Sequence, residues 1–325
     1  MGGLARRATV IKDVKRQGEN ALILDAGNSL FQGKGSPSPQ ERKKAGLIAA
    51  AYGHMGYQAV NVGSDDLSAG IEFLREIQRD SHVPFLSANL LGQKGGKPVF
   101  KSHWVLNIGG IRVGVFGLTS DLRHGKGPAP EGYFISDPIA AAKRAASQLA
   151  KDCDIIVALG NLVSFKEYTR MVQAVEGVHF ILGSGGKGSY HHTIRSKDGW
   201  KTGLFQAYAK GQFLGRIDLN VIKGNRDFVD LSPKDQLRRQ ISRIERQLDS
   251  YRTGTGYAES IPQDKRQDLI KRLEEFKERS EAHLERLERD SRGKSSFIGT
   301  RIPLDNRVRE DLGIKEMVDR FKTGS

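Results

Sequence analysis

The chain has 325 residues, 38% of them hydrophobic, so it can bury a sizeable core as one large domain or two smaller ones. Its 52 lysines and arginines outweigh 38 aspartates and glutamates, a formal charge of +14 that favours anionic ligands or partners, yet no pure Lys/Arg block of the kind found in nucleic-acid arms occurs. A single cysteine, Cys153, excludes an internal disulfide framework and any CxxC or CxxCH site, and the absence of an apolar run of about eighteen residues predicts no membrane span. The opening MGGLARRATVIKDVKRQ lacks the apolar stretch of a signal peptide.

From the start to about residue 222, short apolar segments alternate with helical stretches. The predicted strands are ALILDAG (21–27), AVNVG (59–63), PFLSANL (84–90), SHWVLNIGG (102–110) and IRVGVFGLT (111–119), followed by DIIVALG (154–160), VHFILGSG (178–185), GLFQAYAK (203–210) and FLGRIDLNVI (213–222). Helical patterns fall over 40–55 and 137–151. Buried strands alternating with helices predict an α/β layered domain with function in the loops at the strand ends. Gly109 and Gly110 join two alternating segments and predict an antiparallel hairpin, so the sheets should be mixed.

After DLSPKDQ the chain changes character. Leu237, Ile241, Ile244 and Leu248 recur at steps of four, three and four; Leu269, Leu273, Phe276, Leu284 and Leu287 form a second stripe in an Arg/Glu/Lys-rich stretch. Two charged helices joined by the Gly/Thr/Pro-containing segment 249–263 predict an antiparallel helical hairpin over 233–292, whose seam buries itself or meets a partner helix, a second copy included. The tail SSFIGTRIPLD and REDLGIKEMVDRFK predicts a returning strand and a terminal helix over 293–325.

The segments GGLARRATVIKDVKRQGENALILDAGNSLFQG, AAAYGHMGYQAVNVGSDDLSAGIEFL, VPFLSANL, GGIRVGVFGLTS, DIIVALGNL, VEGVHFILGSGGKG and GQFLGRIDL come in an order that resembles the amino-terminal domain of the 5'-nucleotidases, calcineurin-like metallophosphatases. The resemblance covers residues 1–222 and implies an α-β-β-α sandwich holding two divalent metals, such as Mn or Zn, that activate water for attack on a phosphate. It leaves 233–292 unaccounted for.

The ligands that the resemblance implies can be followed one by one. The family's first Asp and His lie on an opening strand upstream of GGLARR, a strand this chain is expected to lack. Its bridging Asp is matched by Asn28, after Gly27; the Asn and His of its Gly-Asn-His-Glu turn by Ser64 and Asp65, with Asp66 following; a later His by Asn161; and the closing Gly-His-x-His pair by Gly185 and Lys187. A neutral amide bridges two cations poorly, and five changed positions at one site predict that the metal centre is lost and that no cofactor is bound.

Three replacements follow from the residues. Lys187 can place an ammonium in the vacated space, opposite Asp65 or Asp66. GSGGKGS can cradle a phosphate on its backbone, although it is no Walker A loop, since Gly188 follows Lys187. His191 and His192, adjacent on a strand, point to opposite faces and should not share one ion. Cys153 is expected to pack beside a core strand, and Asp25 to cap its turn.

The expected function is that of a non-catalytic binding or scaffolding module on a metallophosphatase fold. The alternative is an active hydrolase of nucleotides or other phosphate esters; nucleic-acid binding is disfavoured by the lack of aromatics interleaved with basic residues. Bacterial relatives that the tail FIGTRIPLD resembles are exported and joined to multihaem cytochrome segments, which implies a periplasmic or extracellular setting; no haem motif lies in these residues.

Overall fold

The structure is a computed structural model that describes residues 3–18, 20–31, 35–120, 132–185, 190–207 and 211–323. It divides into two compact units, Met1–Arg216 with Arg301–Ser325, and Ile217–Thr300.

The first unit opens with helix α1 (Leu4–Arg16), strand β1 (Leu24–Asp25), helix α2 (Pro39–Met55), β2 (Ala59–Asn61), α3 (Ile71–Ser81) and β3 (Phe85–Leu86). There follow β4 (Leu90–Gly92), β5 (His103–Ile108), β6 (Ile111–Thr119), β7 (Tyr133–Ile135), α4 (Pro138–Leu149) and β8 (Ile155–Asn161). Next come α5 (Phe165–Ala174), β9 (Phe180–Ser184), β10 (Tyr190–Arg195) and β11 (Lys201–Gln206); β12 (Phe213–Asn220) begins in the first unit and ends in the second. The second unit contains β13 (Phe228–Asp230), α6 (Pro233–Thr253) and α7 (Gln263–Ser291); β14 (Ser295–Pro303) leads out of it, and α8 (Leu312–Thr323) belongs to the first.

Two sheets form the centre of the first unit. One is parallel, in the order β1-β2-β3; the other runs β10-β11-β9-β8-β6-β5, with four parallel inner strands and antiparallel edges. The mixed sheet is what the Gly109-Gly110 turn predicts: both glycines have positive φ, 58° and 83°, the left-handed backbone that a two-residue hairpin loop demands. All seven residues of β8 are buried, as suits a strand covered on both faces.

Each sheet has its own helical layer. Alanines 141, 142, 145 and 146 of α4 and Tyr168, Met171 and Val172 of α5 pack with Phe116, Ile156, Ala158, Ile181 and Leu204. On the other side α1, α2, α3 and α8 bury Ala8, Ile11, Tyr52, Leu74 and Ile314 with Val60, Val62 and Phe85. The helices begin where their chemistry dictates. Ser38 and Glu41 form a reciprocal capping box ahead of α2, and Asp137 accepts the Ala140 N–H ahead of α4, with proline opening each helix. Between the sheets lie buried polar contacts: the Asn61 amide donates to the Ala26 and Leu118 carbonyls at 3.0 and 2.9 Å, and Thr119 Oγ1 donates to the Val62 carbonyl at 2.8 Å.

In the second unit α6 and α7 pack as the predicted hairpin. Leu237, Ile244 and Leu248 are buried. Ion pairs cross the seam from Lys234 and Arg238 to Glu288, from Lys277 to Glu245 and from Arg252 to Glu274, at 2.9, 3.2, 2.9 and 2.5 Å. Gln240 reaches Ser280 Oγ at 3.0 Å, and Ser280 is the buried residue of α7.

Three expectations need correction. Phe276 is 46% exposed and lies off the seam, because Ser280 and the stem of Lys277 occupy the inner face instead. The predicted joint 249–263 is shorter, since α6 continues to Thr253 and ends on Gly254 in the left-handed region. Of the segment 21–27 only Leu24 and Asp25 are ladder-paired, because β1 is an edge strand with β2 alone beside it.

Candidate functional site

The C-terminal ends of β1, β2, β8 and β9 converge, and the turns that follow them carry most of the residues singled out in the sequence. Asn28 has φ 58°, a left-handed conformation that asparagine tolerates better than most residues. Its Oδ1 accepts the Asp65 N–H at 2.9 Å, and its own N–H goes to Asp66 Oδ2 at 2.8 Å. Asn161, at the end of β8 and buried, accepts the Ser64 N–H on Oδ1 at 2.8 Å and donates from Nδ2 to Ser184 Oγ at 3.1 Å. Ser184 Oγ in turn donates to the Ala26 carbonyl at 2.7 Å. Gly185, φ 94°, sits so close that a Cβ there would lie 2.7 Å from Asn161 Nδ2. Asn28, Ser64, Asp65, Asn161 and Gly185 are therefore neighbours; Lys187, with the rest of 186–189, lies outside the described residues, so its pairing with Asp65 or Asp66 does too.

Asp66 is the centre of this arrangement, a role the GSDD motif did not reveal because the carboxylate faces backbone. It is 1% exposed, and its two oxygens accept three N–H groups, from Asn28, Gly63 and Leu30, at 2.8, 2.9 and 3.1 Å. Burial pushes its carboxyl up to about 7 against the pull of those three donors, and Asp25 adds to the rise. Burial also raises Asp65, which is only partly enclosed.

A second cluster lies beneath the first turn. Asp25 caps it as expected, accepting the Gly27 N–H at 2.9 Å, and its other oxygen accepts from Tyr52 Oη at 2.9 Å. Arg7 of α1 donates to Tyr52 and Tyr57 at 2.8 and 3.3 Å, and the two rings stack with centroids 4.0 Å apart. Burial first, and then the Asp25 carboxylate, hold the Tyr52 hydroxyl protonated well above its ordinary range. No sequence spacing links Arg7 to these tyrosines, so only the tertiary structure brings them together.

Tyr168, fully buried, ties the ends of β8 and β9. Its hydroxyl lies 2.6 Å from the Gly160 carbonyl and accepts the Ser184 and Leu162 N–H groups at 3.1 and 3.3 Å. Tyr168→Phe strands these groups and should cost about 1–3 kcal/mol in urea unfolding; an unchanged midpoint would show that the β8 and β9 ends hold without it. The remaining sequence candidates sit apart from the cluster. His191 packs against Phe205 and His192 against Phe165, with centroids 4.8 and 5.1 Å apart, and Cys153 is buried between α4 and β8. Among the described residues no group of three or more His, Cys, Asp and Glu side chains is placed to hold a metal ion.

No family model matches the chain. Its curated relatives include a snake venom 5'-nucleotidase of Gloydius brevicauda, 26% identical over 290 residues that cover 77% of this chain and 47% of the relative, and the 5'-nucleotidase of Homo sapiens, 28% identical over 286 residues, 78% and 49%. Among solved structures it resembles a 5'-nucleotidase precursor of Thermus thermophilus, with a TM-score of 0.69 at 19% identity over 99% of this chain and 53% of that one. It also resembles a calcineurin-like phosphoesterase of Bacillus subtilis, with a TM-score of 0.64 at 15% identity over 99% and 89%. The fold is that of the calcineurin-like metallophosphatases. In sequence it is similar to 5'-nucleotidases over about three quarters of its length, and it spans about half the length of the curated relatives it matches.

Proposed function

We propose that this chain is a 5'-nucleotidase-like metallophosphatase domain that has lost its dinuclear metal centre and acts as a non-catalytic binding or scaffolding module. The observation that carries this reading is the occupation of the strand-end amides: Asn28 Oδ1 and Asn161 Oδ1 each already accept a backbone N–H of the 64–65 turn. Two adjacent divalent cations call for a bridging carboxylate and converging imidazoles. Among the described residues the cluster offers neutral amides, a serine, the partly enclosed carboxylate of Asp65, and one buried carboxylate, Asp66, spent on three backbone donors. That donor set does not fit two metals. On this reading the chain comprises a phosphoesterase-like domain over 1–222, a hairpin over 233–292 and a returning strand and terminal helix over 293–325. The resemblance of the tail to exported bacterial relatives supports an extracytoplasmic setting as part of it.

The test is the metal content of the purified chain after incubation with Mn²⁺ and Zn²⁺ and desalting, with phosphate release from nucleoside monophosphates measured alongside. The expected result is well below one ion per chain and background hydrolysis. The relatives that are 5'-nucleotidases favour the opposite reading, an active hydrolase, and two bound ions per chain with turnover would establish it.

A further inference from the structure

The outer faces of the hairpin carry two rows of charge with opposite order of sign and different spacing. On α6 the exposed face opposite Leu237, Ile244 and Leu248 carries Arg239, Arg243 and Arg246, with Asp235 one turn before and Asp249 one turn after. On α7 the exposed face opposite the seam carries Glu275, Glu278 and Glu285, with Lys271 one turn before and Arg289 one turn after. One row reads minus, three plus, minus; the other reads plus, three minus, plus. The seam uses other residues, Lys234, Arg238 and Arg252 of α6 and Glu274 and Glu288 of α7, so the two rows are not consumed inside the hairpin. None of the three arginines and three glutamates in the rows makes an ion pair among the described residues. A hollow of about 310 Å³ runs along the arginine row, lined by Arg238, Arg239, Ser242, Arg243 and Arg246.

We infer that the arginine row of α6 docks on the glutamate row of α7 in a second copy of this chain. One spacing is shared, since Arg239 to Arg246 and Glu278 to Glu285 both span seven residues, roughly 10 Å along a helix. In an antiparallel approach Arg289, Glu285 and Glu278 of one copy stand opposite Asp235, Arg239 and Arg246 of the other, with equal steps. Arg243 meets the position of Glu281, and Glu275 falls opposite Asp249, a like-charge pair that the favourable pairs must outweigh. Guanidinium forks also suit carboxylates better than ammonium groups do. The flanking charges choose this occupant over an extended polyanion: Asp235 and Asp249 bound the row and would repel nucleic acid or an anionic membrane that continued past it. Because the two rows look outward from opposite sides of the helix pair, the contact is head-to-tail and builds rings or chains rather than a closed two-fold dimer. Exposed ion pairs are individually weak, so the association is reversible and dependent on salt.

Sedimentation velocity of the full chain over a range of concentrations tests this. In about 50 mM salt the weight-average mass should rise with concentration, and at about 1 M salt, where the screening length falls to about 3 Å, the association constant should drop at least tenfold. R239E/R246E and E278K/E285K should each remain monomeric, with far-UV circular dichroism unchanged because all four positions are exposed. Mixing the two variants should restore association, since each supplies the reversed partner of the other. A chain that stays monomeric at low salt, or one whose association survives both double reversals, would overturn the inference. Neither result depends on metal content.

Discussion

Asp66→Ala should lower the stability of the first unit by roughly 3–5 kcal/mol, on the order of 10 °C in melting temperature, because three backbone N–H groups lose their acceptor at once. Asp66→Asn separates shape from charge. Its amide oxygen can take the place of Oδ2 and keep the Asn28 and Gly63 donors, leaving only the Leu30 N–H facing an NH₂ group, so it should cost less than alanine. Its second use is to isolate a titration. The carboxyl is raised from 3.8 to about 7 in the folded chain, so the fold favours its protonated form. A raised carboxyl stabilises fully below the unfolded value and loses that contribution as pH climbs through the folded one. The wild-type chain should therefore become less stable between about pH 4 and pH 7, by an amount on the order of 4 kcal/mol at most, at about 1.4 kcal/mol per pH unit. Thermal melts from pH 4 to 8 read this directly. A wild-type slope identical to that of Asp66→Asn would show that Asp66 does not titrate in this window.

The second large effect is expected at Gly27. Its φ of 95° is left-handed, and a Cβ there would stand 2.8 Å from the Asn61 carbonyl oxygen and 2.9 Å from the Gly63 nitrogen, both backbone atoms. Gly27→Ala therefore combines a disfavoured conformation with a collision that no rotamer relieves, and about 3 kcal/mol or more should be lost. Gly46→Ala is the control: Gly46 lies within α2, nothing stands within 4 Å of its Cβ position, and alanine there should stabilise by roughly 0.5–1 kcal/mol. Equal melting temperatures for Gly27→Ala and the wild type would mean that the two turns can separate. Separation of the turns would also release Asn28 from Asp65, so the same variant is the one in which to repeat the metal measurement.

Much of this protein is determined by its sequence alone. Strand segments such as DIIVALG, the hairpin at Gly109 and Gly110, the capped starts of α2 and α4 and the steps of four and three in α6 are local signals, because periodicity and turn chemistry act over a few residues. The residues of the strand-end cluster are legible for the same reason: Asn28, Ser64, Asp65 and Asn161 each follow a strand whose apolar run is plain. What only the tertiary structure decided is where polar atoms spend their hydrogen bonds. Asp66 lies 38 and 36 residues from the Asn28 and Leu30 amides it holds, and Arg7 lies 45 and 50 from the tyrosines it meets. Partners so far apart in the chain are chosen by sheet order and layer packing, which no local pattern records. Phe276 shows the converse. Its spacing fits an apolar stripe, but the inner face of α7 went to Ser280 and Lys277, because Gln240 and Glu245 of α6 stand opposite and a buried donor must find an acceptor.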